Sequence, residues 1–135
     1  MNELIIAAEK AVGNSYSPYS GFAVGAALLC SDGKVFTGCN IESASYSATV
    51  CAERTAFFKA VSDGERDFTA LAVIAVQNGK TVPFCTPCGI CRQVMSEFCR
   101  ADFRIYITDG ETVKEYTLAE LLPLGFGPMT LSGGN

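Results

Sequence analysis

The sequence predicts an α/β protein in which helices cover both faces of one mixed, five-stranded sheet. Predicted helices and strands alternate along the chain in the order α-β-β-α-β-α-β-β-α. The segment ALAVIAV, Ala70 to Val76, is short and wholly apolar, which is typical of a strand buried on both faces. The 135 residues, 49% of them hydrophobic, suffice for one core, and no repeat or linker divides them. We therefore expect a single domain over residues 1–135 with three layers, α/β/α.

Local patterns define the elements of the N-terminal half. An amphipathic helix is predicted for Asn2 to Val12, where apolar residues recur at helical spacing. Two strands, Phe22 to Cys30 and Lys34 to Cys39, flank the turn-forming pair Asp32-Gly33 and therefore predict a hairpin. Good helix formers then extend from Cys51 to Val61.

The C-terminal half continues with a helix and two strands, predicted at Gly89 to Cys99, Phe103 to Thr108 and Val113 to Tyr116. A last helix is expected after Thr117, because Glu120 follows three residues on in the pattern of a capping box. The tail from about residue 127 is expected to pack loosely.

Composition and charge exclude several classes of function. The formal net charge is −4 with no run of Lys or Arg, so the chain lacks the basic surface that binds nucleic-acid phosphates. No window reaches the roughly 18 apolar residues of a membrane span, and the N-terminus lacks the pattern of a secretory signal. We therefore expect a cytoplasmic protein with a small-molecule partner. In that reducing compartment, seven cysteines without any histidine favour metal binding or thiol chemistry over disulfides.

Three cysteines have the spacing and the setting of zinc ligands. Cys88 and Cys91 form Cys-x-x-Cys where a turn enters a predicted helix, so both thiols can reach one Zn²⁺. Cys51 begins another predicted helix, and the positive end of a helix dipole favours thiolates at both places. Three sulfur ligands leave the fourth tetrahedral position to water, which is the arrangement of a catalytic zinc.

Two charged residues follow Cys51 closely. Glu53 can lie beside the metal-bound water, take its proton and deliver it to a substrate nitrogen. Arg54 can offset the net negative charge that three thiolates leave on Zn²⁺. The alternatives are an ordinary first-turn glutamate that the helix dipole favours and a solvated arginine on the helix face.

Five sequence motifs, spread along nearly the whole chain, occur together in one known protein family. CAE from Cys51 and PCGICRQ from Pro87 match the signature of zinc nucleobase deaminases, and YSPYSGFAVGAAL, GCNIESASYS and ELLPLGF accompany them. In this order and spacing, the chain resembles the small, homotetrameric cytidine deaminases of pyrimidine salvage. Thr86 stands where that family often has Ser, which keeps a hydroxyl.

The resemblance implies the fold, the reaction and the metal site. The fold would be cytidine-deaminase-like, and the reaction would convert cytidine and 2′-deoxycytidine to uridine and 2′-deoxyuridine plus ammonia. Cys51, Cys88 and Cys91 would bind one zinc ion per chain, Glu53 would carry the proton, and Arg54 would donate hydrogen bonds to the ligand thiolates.

It also implies how the substrate is held. Phe22 would pack against the pyrimidine, Asn40 and Glu42 would hold the ribose 3′-hydroxyl, and backbone groups at Ala52 would read the pyrimidine edge. The loop from Ala44 to Tyr46 and the side chain of Phe126 would reach into a neighbouring subunit's site, so that sites are shared in a homotetramer. Local packing on its own chain is the alternative for Phe126.

Several alternatives stay open at the level of sequence. A deaminase for a nucleoside antibiotic of the blasticidin type shares CAE, PCGxCRQ and ELLP, whereas polynucleotide deaminases typically use His as the first ligand. A structural zinc module would need a fourth protein ligand, for which Cys85 is available, and a disulfide-stabilised domain would need no metal. We interpret Cys85 as a spectator and Cys30, Cys39 and Cys99 as small buried hydrophobes.

Overall fold

The computed structural model describes residues 2–133, which form five α-helices and six β-strands. In chain order these are α1 Asn2–Val12, β1 Phe22–Cys30, β2 Val35–Cys39, α2 Ala52–Ser62, β3 Phe68–Gln77, β4 Lys80–Val82, α3 Gly89–Phe98, β5 Arg104–Thr108, β6 Val113–Thr117, α4 Leu118–Leu121 and α5 Pro128–Leu131. A 3-10 turn at Tyr46–Ala48 lies between β2 and α2. Within the described residues, every helix is too short or too polar to cross a membrane.

One mixed sheet contains all six strands. Its order is β2-β1-β3-β5-β6, with β4 paired to β3. The β3 and β5 strands run parallel, and the other pairs are antiparallel. Strand β1 pairs with one edge of β3 along its whole length, including residues 75–77. The other edge of β3 pairs with β5 at residues 70–73 and with β4 at residues 75–77, beyond the end of β5. The α/β class predicted from the sequence is thus confirmed.

The predicted number of strands was wrong by one. Asn78 and Gly79, just beyond the strand predicted at Ala70 to Val76, both have positive φ, 54° and 73°, as the two central residues of a tight hairpin turn do. The chain therefore returns as β4. This strand escaped notice because it has only three residues before Pro83, too few for a periodic pattern.

Helices cover the two faces of the sheet and bury two separate cores. On one face, α1 contributes Leu4 and Ala8 to a core with Ala72 and Ile74 of β3. On the other face, α2 and α3 cover Leu71, Val73, Leu28, Ile105 and Ile107, together with Phe57 and Met95 from the helices themselves. Residues on β3 alternate between the two cores, which explains why its segment 70–76 is wholly apolar.

Two glycines allow helices to lie close to the sheet. A Cβ on Gly38 of β2 would stand 2.4 Å from the carbonyl oxygen of Ala52 and 2.6 Å from the amide nitrogen of Ala56. A Cβ on Gly25 of β1 would stand 2.0 Å from the carbonyl oxygen of Ala8. Neither backbone contact leaves room for a side chain, so Gly38 sets how closely the first turn of α2 approaches the sheet.

The C-terminal region begins as predicted and ends with an additional helix. The side chain of Thr117 accepts a hydrogen bond from the Glu120 amide, and Glu120 accepts one from the Thr117 amide, which confirms the capping box. The tail contains α5, with Pro128 as its first residue, where proline is favoured.

Candidate active site

Three thiols converge at the N-termini of two helices. Cys51 is the N-cap of α2, Cys88 is the N-cap of α3, and Cys91 lies in the first turn of α3. The sulfur of Cys88 is 3.7 Å from that of Cys51 and 3.6 Å from that of Cys91, and all three lie within 4.8 Å of one another. Sulfurs held at about 2.3 Å by a tetrahedral zinc lie about 3.8 Å apart. The donor set and its spacing therefore fit zinc.

Arg54 lies against this three-thiol cluster. Its Nη2 donates a hydrogen bond of 3.4 Å to the Cys51 sulfur. Hydrogen bonding from Cys91, assisted by Arg54 and Cys88 and opposed by burial, lowers the pKa of the Cys51 thiol to about 5. The hydrogen bond to Cys51 and burial raise the pKa of the Cys91 thiol. The surroundings thus favour a thiolate on Cys51, next to the arginine.

The guanidinium of Arg54 is itself held by the thiols. Burial works against its charge, but hydrogen bonds to Cys51 and Cys91 raise the pKa of Arg54 above its usual value. Within residues 2–133, its Nε is a buried nitrogen without a hydrogen-bond partner. A buried donor of this kind is costly unless nearby negative charge compensates it. This environment differs from that of a solvated arginine on a helix face.

Glu53 is a buried carboxyl group in the first turn of α2. Only 4% of its surface is exposed. Burial raises the pKa of Glu53 to about 7; a hydrogen bond from its own backbone amide opposes the shift, and the charge of Cys51 adds to it. The group can therefore both accept and return a proton near neutral pH, as a general base that later acts as an acid must do.

A cavity of 360 Å³ opens beside these residues. That volume lies in the range of about 300–1,000 Å³ that small-molecule sites occupy. Its charged lining residues are the two carboxylates Glu42 and Glu53, and no lysine or arginine lines it. We refer to it as the site cavity; its lining is Ser20, Phe22, Val24, Asn40, Glu42, Thr49, Val50, Cys51, Glu53, Cys85, Thr86 and Cys88.

Asn40 and Glu42 line the site cavity, and most of their side-chain donors and acceptors already form hydrogen bonds within the protein. The Asn40 oxygen accepts from the Val24 amide and the Ser15 hydroxyl, and its nitrogen donates to the Phe22 carbonyl. That leaves one N–H on Asn40. Glu42 accepts from the Tyr19 and Ser20 amides at Oε1 and from the Ser20 hydroxyl at Oε2, which leaves one acceptor position on Oε2.

The remaining residues predicted to touch substrate lie elsewhere. Ala52 is fully buried and is not among the residues that line the site cavity. Ala44 is exposed, and Tyr46, 77% exposed, lines an adjoining hollow and contacts Tyr19 edge to face. Phe126 is 56% exposed on the outer side of α3, where it lines a different hollow. The side chains of Ala44, Tyr46 and Phe126 therefore do not reach the three thiols of their own chain.

Sequence reasoning missed several cavity residues. Thr49, Val50 and Val24 line the site cavity without belonging to a chemical motif, and Ser20 orients Glu42. Ser20 and Val24 lie in the motif YSPYSGFAVGAAL, which could have marked them, whereas Thr49 and Val50 lie outside all five motifs. Cys85 lines the site cavity but does not join the group of thiols within 4.8 Å of one another, so no fourth protein ligand is placed there among the described residues.

The other cysteines are all free thiols. No disulfide bond joins the described residues, and one zinc ion per chain in the purified protein would exclude a disulfide-stabilised domain. The Cys30 thiol is buried, as predicted, but it lies within 4.8 Å of carboxylate oxygens of Asp32 and Glu65. This second group, here called the hairpin cluster, was not expected from the sequence because Glu65 is distant in the chain.

A buried carboxyl group lies beside three convergent thiols in the wall of a small cavity, and this set of groups suits a metal ion with a proton carrier next to it. The family model described as "Cytidine and deoxycytidylate deaminase zinc-binding region" matches residues 1–107. The chain belongs to this family of zinc-binding deaminases.

Individual relatives agree with that assignment. The cytidine deaminase of Sporosarcina psychrophila is 51% identical over 98% of this chain and 95% of the relative. The crystal structure of cytidine deaminase from Burkholderia pseudomallei, 44% identical, superposes with a TM-score of 0.86 over 93% of this chain and 98% of the other. The blasticidin-S deaminase of Bacillus cereus is more distant, with 32% identity over 76% of each chain.

Proposed function

We propose that this protein catalyses the hydrolytic deamination of cytidine and 2′-deoxycytidine to uridine and 2′-deoxyuridine, with release of ammonia. The observation that carries the proposal is the buried carboxyl group of Glu53 beside three thiols spaced for zinc. One zinc ion per chain would be held by Cys51, Cys88 and Cys91. Seven free thiols suit a reducing compartment, in keeping with the predicted cytoplasmic location.

Glu53 is the proton carrier of the proposed reaction. When bound, zinc supplies Lewis acidity that makes water a nucleophile at neutral pH. The carboxylate of Glu53 takes a proton from the attacking water and delivers it to N3 of the cytosine ring as oxygen bonds to C4. Glu53 then takes the proton of the hydroxyl group on C4 and gives it to the amino group, so that the C4–N bond breaks, ammonia leaves and the C4 carbonyl forms. Arg54 stabilises the thiolates throughout.

The free hydrogen-bonding positions of the site cavity suit a ribose hydroxyl. Asn40 has one N–H to donate and Glu42 has one position on Oε2 to accept. A hydroxyl group is at once an acceptor and a donor, so the pair matches one hydroxyl, which we assign to the 3′ position. Phe22, which lines the site cavity, would pack on the pyrimidine. Backbone groups at Ala52, between Cys51 and Glu53 in the chain, would read the edge of the pyrimidine.

The charge of the site cavity favours nucleosides over nucleotides. Among the described residues its lining carries Glu42 and Glu53 and no lysine or arginine, and the three thiolates outweigh the charge of the Zn²⁺ that they would hold, so a 5′-phosphate would lack a cationic partner. Cytidine monophosphate is therefore expected to be a poor substrate.

We further propose that the sites are shared between the subunits of a homotetramer. Phe126 and Tyr46 are large, exposed aromatic side chains, and Phe126 does not line the cavity of its own chain. Exposed aromatic groups are favoured where a partner buries them. Phe126 and the Ala44 to Tyr46 loop would complete a neighbouring chain's cavity.

A single assay tests the chemistry. Loss of absorbance is followed with cytidine, 2′-deoxycytidine, cytosine, cytidine monophosphate and blasticidin S, with zinc quantified in each protein sample. Glu53→Gln is expected to keep zinc and to lower kcat by about 10²–10⁴-fold, because only the proton carrier is removed. Thr55→Ser, two residues further along α2, keeps the hydroxyl that donates to the Cys51 carbonyl and is the control. Near-normal turnover by Glu53→Gln, or faster turnover of blasticidin S than of cytidine, would overturn the proposal.

Shared sites can be tested by mixing inactive variants. Phe126→Ala and Glu53→Gln chains are coexpressed, and mixed oligomers are isolated with two affinity tags. If Phe126 serves a neighbour's site, mixed oligomers contain some sites with both residues intact and regain activity. A fully active monomer in analytical ultracentrifugation, or mixed oligomers without regained activity, would contradict sharing.

A further inference from the structure

The arginine after Cys91 joins two parts of the chain by hydrogen bonds to backbone carbonyls. Nε of Arg92 donates to the carbonyl oxygen of Pro87 at 2.7 Å, and Nη1 donates to that of Leu121 at 2.6 Å. Pro87 is fully buried and precedes the N-cap Cys88, so the bonds within α3 do not satisfy its carbonyl. Leu121 ends α4, whose last carbonyls likewise lack helical partners.

The next residues of α3 hold the segment that carries Phe126. Nε2 of Gln93 donates to the Phe126 carbonyl oxygen at 2.7 Å, and the Ser96 hydroxyl donates to the same oxygen at 3.4 Å. Gln93 and Ser96 are three positions apart and therefore share one face of the helix. A Cβ on Gly127 would stand 2.9 Å from the Ser96 oxygen, so the chain passes close to α3 there.

The guanidinium groups of Arg92 and Arg54 bond to different kinds of acceptor. Arg54 donates to a thiol, whereas both hydrogen bonds recorded for Arg92 end on carbonyl oxygens. Across residues 2–133, no carboxylate oxygen lies within 4.0 Å of the Arg92 guanidinium. What Arg92 provides is the planar fork of a guanidinium, which can hold two acceptors in fixed directions at once.

We propose that Arg92 is a positioning residue that holds the metal-binding turn, Pro87 to Cys91, and the segment 121–127 together as one unit. The hydrogen bond to the Pro87 carbonyl fixes the backbone that leads into Cys88. The metal-binding turn therefore opens more slowly, and zinc leaves more slowly. Fixing the Leu121 carbonyl anchors the start of the segment, and Gln93 anchors its end at Phe126. The proposal rests on the proposed function only in taking zinc as the ion and Phe126 as a group presented to a substrate site.

Two measurements on the zinc-loaded full chain test this without turnover. The first is the rate of zinc release to a chromogenic chelator, and the second is amide hydrogen exchange over residues 122–127. Arg92→Met keeps the length of the side chain and removes its donors; it should speed zinc release by about tenfold or more and raise exchange. Gln93→Ala should raise exchange and leave zinc release unchanged. Arg100→Met, a change at an exposed arginine beyond the same helix, should alter neither.

The conservative variant separates geometry from charge. Arg92→Lys keeps the charge but cannot hold two carbonyls in a planar fork, so its zinc release should lie between the rates of wild type and Arg92→Met. This variant also serves as the test if Arg92→Met does not fold. Wild-type release and exchange in Arg92→Lys, or a change in only one of the two readouts in Arg92→Met, would overturn the proposal. Failure of the wild-type protein to deaminate cytidine would refute the proposed function. It would not affect the test of Arg92, because zinc release and hydrogen exchange are measured without turnover.

Discussion

Two clusters of potential metal ligands in this protein differ in what surrounds them. The three-thiol cluster lies at the N-termini of α2 and α3, with Arg54 behind it and the site cavity in front. The hairpin cluster, Cys30 with Asp32 and Glu65, lies at the far end of β1, and Lys34 already stands 3.6 Å from a carboxylate oxygen of Glu65. In both clusters the ligand atoms lie within 4.8 Å of one another.

The difference shows that proximity of ligands does not make a metal site. At the three-thiol cluster the surroundings favour thiolate, and the pKa of Cys51 is lowered to about 5. At the hairpin cluster, burial and the charges of Glu65 and Asp32 raise the pKa of the Cys30 thiol to about 11. Metal ions bind the thiolate form of cysteine, so the three-thiol cluster is suited to a metal cation. The hairpin cluster already has a cation beside it, the ammonium group of Lys34.

Matched serine substitutions give the largest expected contrast. Cys91→Ser removes one of three sulfur ligands, and zinc should fall from about one ion per chain to nearly none after dialysis. Cys30→Ser should keep the wild-type zinc content, because the hairpin cluster binds no zinc. Inductively coupled plasma mass spectrometry measures both. Loss of zinc from Cys30→Ser that still folds would erase the distinction between the clusters.

The reactivity of the thiols should differ by about a hundredfold or more in zinc-free protein. A thiol with a pKa near 11 has about a hundredfold less thiolate at pH 8 than one with a pKa of 9, and only the thiolate is alkylated. Alkylation of Cys30 should therefore be slow and should rise with pH up to about 11, whereas Cys51 is already thiolate at pH 8. Pulsed iodoacetamide labelling with peptide mass spectrometry measures each rate. Equal rates in folded protein would contradict the assigned environments, and equal rates after unfolding are the control.

Removing the cation beside each cluster should affect only one of them. Arg54→Gln withdraws the donor to Cys51 and should weaken zinc binding by about 10–100-fold, as the loss of groups that support metal ligands does. Lys34→Gln is the same kind of change at the hairpin cluster and should leave zinc affinity unaltered. Competition with a chelator of known affinity measures both variants. Equal affinities for the two would show that Arg54 does not support the thiolates.

Glycine substitutions near the two clusters should produce the smallest effects. Gly38→Ala places a methyl group against the backbone of α2 and should lower the free energy of unfolding by about 1–3 kcal/mol, with some loss of zinc affinity because Cys51 caps that helix. Gly33→Ala meets no atoms but requires alanine at a φ of 94°, at a cost of about 1–2 kcal/mol. Urea unfolding and zinc titration measure both. Zinc affinity lost in Gly33→Ala and kept in Gly38→Ala would reverse the expected order.

Much of the fold was predictable because its signals are local. The apolar run in β3 indicated a sheet covered on both faces, and Thr117 with Glu120 located the start of α4. The same reliance on local pattern explains the omissions. β4 and α5 have three and four residues, too few for the period of a strand or a helix to repeat visibly in the sequence, and tertiary contacts define them.

The site was predictable where chemistry requires a residue type at a set spacing. Cys51, Glu53, Cys88 and Cys91 were identified because few other uses bring these residue types together. Their convergence is seen in the structure, while their roles remain predictions. The hydrogen bonds of Arg92 to Pro87 and Leu121 were not predictable, since they depend on where α4 ends relative to α3. The hairpin cluster escaped prediction for the same reason, because folding alone brings Glu65 to Cys30.

The three thiols come from segments 37 residues apart, which makes the metal a ligand of the folded state. An ion that binds only native protein stabilises it by RT ln(1 + [L]/Kd), or about 4 kcal/mol at a thousandfold excess over Kd. Cys88 and Cys91 can capture zinc in an unfolded chain, which reduces this gain, but the contribution of Cys51 exists only after folding. The melting temperature of the protein should therefore follow the free zinc concentration, and zinc starvation would deplete the folded chain as well as its activity.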